Sequence, residues 1–246
     1  IAVELSNRGA NIVLNYPFSS LKDECEAVGR NLGTDWIAVC ADIASNDGPS
    51  ELVQQAVAKF GHIDILVSNA GYVPIAPLWD ATLTMWDRTM NLNARGAFAL
   101  VKASLPHLTP YKATVPQNMS GAIGGSRIII VGSAASRVPK ANQGVYAATK
   151  GALDSILRVW AKELPPKYGC TVNLVAPGPV LTESFMEHFT QQEWDKIRQQ
   201  LINDTPVEGG AASVEDVAWA VAFLAEERSR FINGEFMLLS GGVSMA

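Results

Sequence analysis

The chain predicts an α/β fold, a single domain built on a doubly wound parallel sheet with helices on both faces. Three observations carry that expectation. Short, nearly continuous apolar runs such as Ile63-Asp64-Ile65-Leu66-Val67 and Ile128-Ile129-Ile130-Val131 alternate with helical patterns of about ten to fifteen residues, as parallel strands buried on both faces do. At 246 residues, with 48% apolar and 17% charged positions, the chain is long enough to bury one substantial core. No repeat, low-complexity tract or linker divides it, so residues 1–246 read as one domain.

Residues 1–9 read as the rear of a helix that stops at Gly9, a C-terminal cap residue. Residues 11–16 form a short strand, broken by Pro17 and the serines after it. Helical periodicity returns over 21–32, a strand over 36–41, a helix over 52–60 and a strand over 63–68. One long helix is expected over 84–108, followed by a surface loop, 109–125, rich in Pro, Gly, Ser and Asn. The strand at 128–131 leads through Ser133 into a second long helix over about 143–168, with Pro165 and Pro166 marking its end. A strand at 171–176, an amphipathic insertion at 183–204, a helix at 214–227 and a last strand at 235–239 follow. The insertion, taken to 205, is expected to act as a lid over substrate.

Composition excludes several classes. A net charge of -5 and a pI near 5.2 argue against nucleic acid or an anionic membrane as partner. No apolar run is long enough for a membrane span. Cys25, Cys40 and Cys170 are odd in number and lack a Cys-x-x-Cys spacing, which suits free thiols in a reducing compartment. The opening Ile1-Ala2-Val3-Glu4-Leu5 lacks signal-peptide architecture, so a cytoplasmic location is expected. His62, His107 and His188 share no zinc spacing, and no Gly-x-Ser-x-Gly elbow is present; neither a metal site nor a serine hydrolase is expected.

The stretch 133–150 carries the chemistry. Tyr146 and Lys150 are four apart at the start of a helix, so they project from one face a turn apart and place an ammonium beside a phenol. A nearby cation favours phenolate and should lower the Tyr146 pKa toward the range useful for acid–base work. Ser133 follows an apolar strand, at the carboxyl end where ligands of open α/β sheets bind. All three could meet at one carbonyl oxygen.

Further signals accompany them: Asn69-Ala70-Gly71 closing a strand, Asn93 within Asn93-Ala94-Arg95-Gly96-Ala97-Phe98, and Pro177-Gly178-Pro179-Val180-Leu181-Thr182 after another strand. In this order and at these spacings the whole chain resembles the short-chain dehydrogenase/reductase family, of the NAD(P)-dependent carbonyl or ketoacyl reductase type, with its Rossmann-like sheet. The resemblance implies Asn93, Ser133, Tyr146 and Lys150 as the catalytic set. Tyr146 transfers the proton, Ser133 stabilises the oxygen, Lys150 also holds the nicotinamide ribose, and Asn93, preferred over Asn91, binds a water linking Lys150 to solvent. It implies further that Asp42, with Ile43 beside it, contacts adenine, that Asn69, Ala70 and Gly71 let the cofactor approach the backbone, and that Pro177, Gly178, Val180 and Thr182 receive the nicotinamide carboxamide. An NAD-preferring member ends its second strand with an acid; here Asn15, Tyr16, Ser19 and Ser20 offer amide and hydroxyl groups, so NADPH is expected over NADH.

The same resemblance implies a homotetramer or dimer formed by the two long helices. Substrate specificity is expected from 134–143, from 72–78 and from Phe185, Met186, Phe189 and Trp194, which suit a hydrophobic or cyclic ketone or alcohol. Family members begin with a strand and a Thr-Gly-x-x-x-Gly-x-Gly turn, neither of which this sequence contains. That strand would lie between residues 12–14 and 63–67, so two unpaired edges and an apolar groove are expected there. Roughly 15 to 25 further residues upstream are the corresponding expectation for the native protein. The competing expectation for function is a non-catalytic binding or scaffold member of the same fold.

Overall fold

Each strand of the fold grows from one of the apolar runs, in a computed structural model that describes residues 1–109, 125–182 and 190–244. The strands are β1 Ile12–Tyr16, β2 Trp36–Cys40, β3 Ile65–Ser68, β4 Arg127–Val131, β5 Thr171–Pro177 and β6 Phe236–Leu239. The helices are α1 Ala2–Asn7, α2 Lys22–Arg30, α3 Gly48–Phe60, α4 Leu83–Met90, α5 Ala97–Ser104, α6 Gly144–Tyr168, α7 Gln191–Asp204 and α8 Val214–Ala225. Every strand pairing is parallel; β1 pairs with β2, and the second hydrogen-bonded group runs β3-β4-β5-β6.

The centre of the sheet is β4 against β5, with Ile128 opposite Val172 and Ile130 opposite Leu174. Ile128, Ile129 and Ile130 are all fully buried because successive side chains go to opposite faces and both faces are covered. Ile128 and Ile130 pack with Leu153 and Leu157 of α6, whereas Ile129 packs with Val217, Val221 and Leu224 of α8. Each such side chain contributes about 1.5–3 kcal/mol by leaving water. The stretch from β4 to the start of α6 is therefore anchored on both sides.

β1 and β3 are not paired with each other. Their facing edges border a cavity of about 590 Å3 lined by Ile12, Leu14, Ile65 and Val67, with Leu52 and Leu100 on its flank. The groove falls between the same two strands to which the family resemblance assigns a further strand.

Several boundaries differ from the sequence expectation. The helix expected from residue 52 starts at Gly48, with Pro49 in its first turn, where a missing N–H costs nothing. The expected 84–108 helix is α4 and α5 separated by a π turn, Asn91–Gly96, and closed by the short turn Leu105–His107. At Gly96 a Cβ would stand 2.8 Å from the Ile43 carbonyl oxygen, so the helix passes that loop only with glycine there. The helix expected over about 143–168 agrees with α6, Gly144–Tyr168, with Pro165 and Pro166 inside its last turn and Gly169 closing it at φ 63°. Of the insertion, α7 opens with a capping box between Thr190 and Glu193. The expected roles of Phe185, Met186, Phe189 and most of the 109–125 loop lie outside the described residues. Among the described residues no helix is long and apolar enough to cross a membrane.

Candidate active site

The carboxyl ends of β3, β4 and β5 open on one side of the sheet. β3 delivers Asn69, Ala70 and Gly71, all exposed; β4 delivers Gly132 and Ser133; β5 delivers the loop from Pro177. Gly132 is required by packing, since a Cβ would come within 2.4 Å of the Leu174 side chain. Its N–H donates to the Val175 carbonyl at 2.7 Å, which holds the last residue before Ser133 against β5. Ser133 then starts a tight turn, with its Oγ accepting from Ala135 N at 3.1 Å.

α6 brings Tyr146, Thr149 and Lys150 to the same place. Lys150 is buried, and its Nζ donates to the Val131 carbonyl at 2.8 Å. Burial lowers its ammonium pKa from the ordinary 10.5 to about 8, so it remains mostly charged at neutral pH. Burial also pushes the Tyr146 phenol above its ordinary 10, and a hydrogen bond with Ser133 draws it partly back. The sequence expectation that Lys150 sets the Tyr146 pKa needs correction. The ammonium is turned to the Val131 carbonyl, 5.7 Å from the Tyr146 ring centre, and the phenol is set by burial first and by its hydrogen bond with Ser133 second.

Asn93, rather than exposed Asn91, sits in this centre, buried within the π turn. Its Oδ1 accepts from Tyr72 N at 2.8 Å, while its Nδ2 donates to Tyr72 O at 2.9 Å and to Thr149 Oγ1 at 3.1 Å. Both amide hydrogens are thus used, and a water here would have to be met by Oδ1 or by backbone. Thr149, absent from the sequence expectation, donates to the Tyr146 carbonyl at 2.7 Å and is fully buried. It joins the Asn93 turn to the helix bearing Tyr146 and Lys150. Its signal in sequence is a small hydroxyl residue in a helix face otherwise committed to the core, where it can bond back one turn.

The residues expected at the adenosine end are placed unevenly. Tyr16 is buried on the same face of β1 as Ile12. Asn15 is exposed, but its amide donates to Val39 O and Ala41 O at 3.3 and 2.8 Å. Ser19 and Ser20 are exposed in a short turn, Ser19–Leu21. Asp42 accepts from Ala44 N at 2.9 Å in an Asx turn, and Ile43 beside it is buried. On the other flank Gly178 N donates to Leu239 O at 2.8 Å and Val180 bridges Ala212, fixing the loop that holds Pro177 and half-buried Thr182.

Two segments expected to contact substrate meet directly. Ala76 N donates to the Asn142 carbonyl at 2.9 Å, and Asn142 adopts φ 67°, a left-handed conformation that asparagine tolerates. Val73, Ile75 and Val138 on these segments are exposed apolar side chains. Of the histidines, His62 pairs with Asp64 and His107 ends a helical turn elsewhere, while His188 lies outside the described residues; among the described residues no group of potential ligands could hold a metal.

Comparison with known proteins places this arrangement. Residues 1–244 match the family model described as enoyl-(acyl carrier protein) reductase. The short-chain dehydrogenase/reductase FrzI of Cladobotryum is 36% identical, the match covering 99% of this chain and 90% of that protein. Versicolorin reductase 1 of Aspergillus parasiticus is 33% identical over 98% of this chain and 90% of its own length. Among solved structures, a short-chain dehydrogenase/reductase from Serratia marcescens is 31% identical with a TM-score of 0.83, covering 98% of this chain and 91% of that one. A blue fluorescent protein from a metagenomic library, solved in complex with NADPH, is 30% identical with a TM-score of 0.78, covering 99% and 92%.

Proposed function

The chain belongs to the short-chain dehydrogenase/reductase family of oxidoreductases, and from that premise we propose that it is an NADP(H)-dependent carbonyl reductase interconverting a ketone and a secondary alcohol. The observation that carries this reading is the convergence of Ser133, Tyr146 and buried Lys150 at the carboxyl end of β4. The nicotinamide, when bound, supplies the hydride or takes it back. Burial keeps the Tyr146 phenol protonated at neutral pH, ready to give its proton to the carbonyl oxygen, and Ser133 donates a hydrogen bond to that oxygen as charge gathers.

The residues present fit the cofactor. Gly71 is exposed, and a Cβ there would lie 3.6 Å from Asn93 Oδ1 and 3.8 Å from Lys150 Nζ, so glycine leaves the space before the ammonium free. Lys150 has three N–H donors and spends one on Val131; two remain for a vicinal diol such as a ribose. No carboxylate stands among Asn15, Ser19 and Ser20, which favours a 2′-phosphate, and one solved relative carries NADPH.

The exposed Val73, Ile75 and Val138 suit a hydrophobic or cyclic carbonyl substrate. Phe98 and Val159, exposed on α5 and α6, fit self-association of a cytoplasmic dimer or tetramer, which light scattering would read as a multiple of 26.3 kDa. The test of the function is Tyr146→Phe, assayed by NADPH oxidation against a panel of quinones and cyclic ketones. Turnover should fall by about two orders of magnitude or more with NADPH affinity kept. Turnover within about tenfold of wild type overturns the role of Tyr146, and stoichiometric NADPH binding without turnover by the wild type favours a binding protein.

A further inference from the structure

The Ser133 turn is tied to the rest of the site through a side chain remote from the reacting atoms. Apart from the bond between Ser133 and the Tyr146 phenol, its hydrogen bonds are otherwise local: Ser136 N and Oγ donate to the Ser133 carbonyl at 3.2 and 2.9 Å, and Arg137 N and Val138 N donate to the Ala134 carbonyl at 3.0 and 2.9 Å. At the far end of the turn, Arg137 donates from Nε and Nη2 to the two oxygens of Asp154 at 3.1 and 3.2 Å. Asp154 is buried on α6, one turn beyond Lys150 and two beyond Tyr146. The guanidinium also sits over the ring of buried Phe236 of β6, with Cζ 3.7 Å from the ring centre. A planar fork held by both carboxylate oxygens and by a ring face has little freedom left, unlike a single point contact.

We propose that Arg137 is a positioning residue for Ser133: clamped by Asp154 and Phe236, it sets the turn at a fixed height along α6, so that the Ser133 hydroxyl stays aligned with the Tyr146 phenol. The proposal rests on the role of Ser133 as donor to the carbonyl oxygen. Arg158 supplies an internal control, because its Nη1 donates to the same Asp154 oxygen at 3.0 Å but from within α6, with no link to the Ser133 turn. If Asp154 needed a cation only for its own burial, both arginines would behave alike. If Arg137 aligns Ser133, only Arg137 affects catalysis.

The experiment is a cycle of Arg137→Ala, Ser133→Ala and their combination, with Arg158→Ala alongside. Turnover in ketone reduction should fall about tenfold in Arg137→Ala with the NADPH dissociation constant unchanged, and about 100-fold in Ser133→Ala. The double variant should match Ser133→Ala within about twofold, because a residue that acts through Ser133 has nothing to act on once the hydroxyl is gone. Arg158→Ala should keep turnover within about twofold of wild type, and Arg137→Lys, which keeps the charge but loses the fork, should fall between wild type and Arg137→Ala.

A second readout needs no turnover. The ultraviolet titration of the Tyr146 phenol, isolated by subtracting that of Tyr146→Phe, should move upward in Arg137→Ala and in Arg137→Lys, as it does when Ser133 is removed. Multiplicative losses in the double variant, or an unmoved phenol titration in Arg137→Lys, overturn the proposal. If Ser133→Ala alone leaves turnover intact, the function assigned to Ser133 is what fails, and the phenol titration still decides whether Arg137 positions it.

Discussion

Replacing Lys150 by Met should make this protein more stable and inactive at once. The lysine pKa falls from 10.5 to about 8 on folding, so the folded protein holds that proton about 300-fold less tightly than the unfolded chain does. At about 1.4 kcal/mol per factor of ten, the buried ammonium costs folding about 3 kcal/mol wherever both states are protonated, which is below pH 8. Between pH 8 and 10.5 the unfolded chain binds more protons than the folded one, so wild-type stability rises with pH across that window. Methionine keeps most of the apolar stem and carries no proton. It forfeits the Nζ bond to the Val131 carbonyl, a loss of about 1 kcal/mol. The variant should therefore be about 2 kcal/mol more stable than wild type at pH 7, or about 4–8 °C in Tm for a chain of this size. That advantage should shrink steadily above pH 8 and vanish before pH 10.5. Urea unfolding followed by tryptophan fluorescence at unit steps from pH 7 to 10 measures it directly, and NADPH oxidation gives the accompanying loss of turnover. A variant less stable than wild type at pH 7, or a stability gap that does not change with pH, would refute the assignment of Lys150 as a desolvated cation.

Three further outcomes are expected. Thr149→Val removes the hydroxyl joining Asn93 to the Tyr146 carbonyl, and turnover should drop about tenfold while Thr149→Ser restores most of it; equal activity in the valine form would show the link idle. Gly71→Leu should weaken NADPH about tenfold or more, read by fluorescence titration, with Tm nearly unchanged because the position is exposed; unaltered affinity would place the cofactor elsewhere. With Tyr146 raised above 10 and Lys150 near 8, the rate of reduction should hold to about pH 8 and then fall with the lysine charge, well before the phenol ionises, so a plateau persisting past pH 10 would remove Lys150 from the step.

The alternation of apolar runs and helices, the placement of Ser133 after β4 and the pairing of Tyr146 with Lys150 on one helical face were all legible in the sequence. Each follows from a period of two or of 3.6, or from a turn residue next to it, and those are properties of neighbours along the chain. Only the tertiary structure decided that Lys150 faces the Val131 carbonyl, that burial raises the Tyr146 phenol, that Tyr16 is buried, and that the 84–108 helix carries a π turn around Asn93. It alone also showed Thr149 bonded to a residue 56 positions away and Arg137 clamped between α6 and β6. The reason is one of range. A hydrogen-bond partner or a desolvation cost depends on which strands and helices come to lie side by side, and that is set by the packing of both sheet faces rather than by any local pattern.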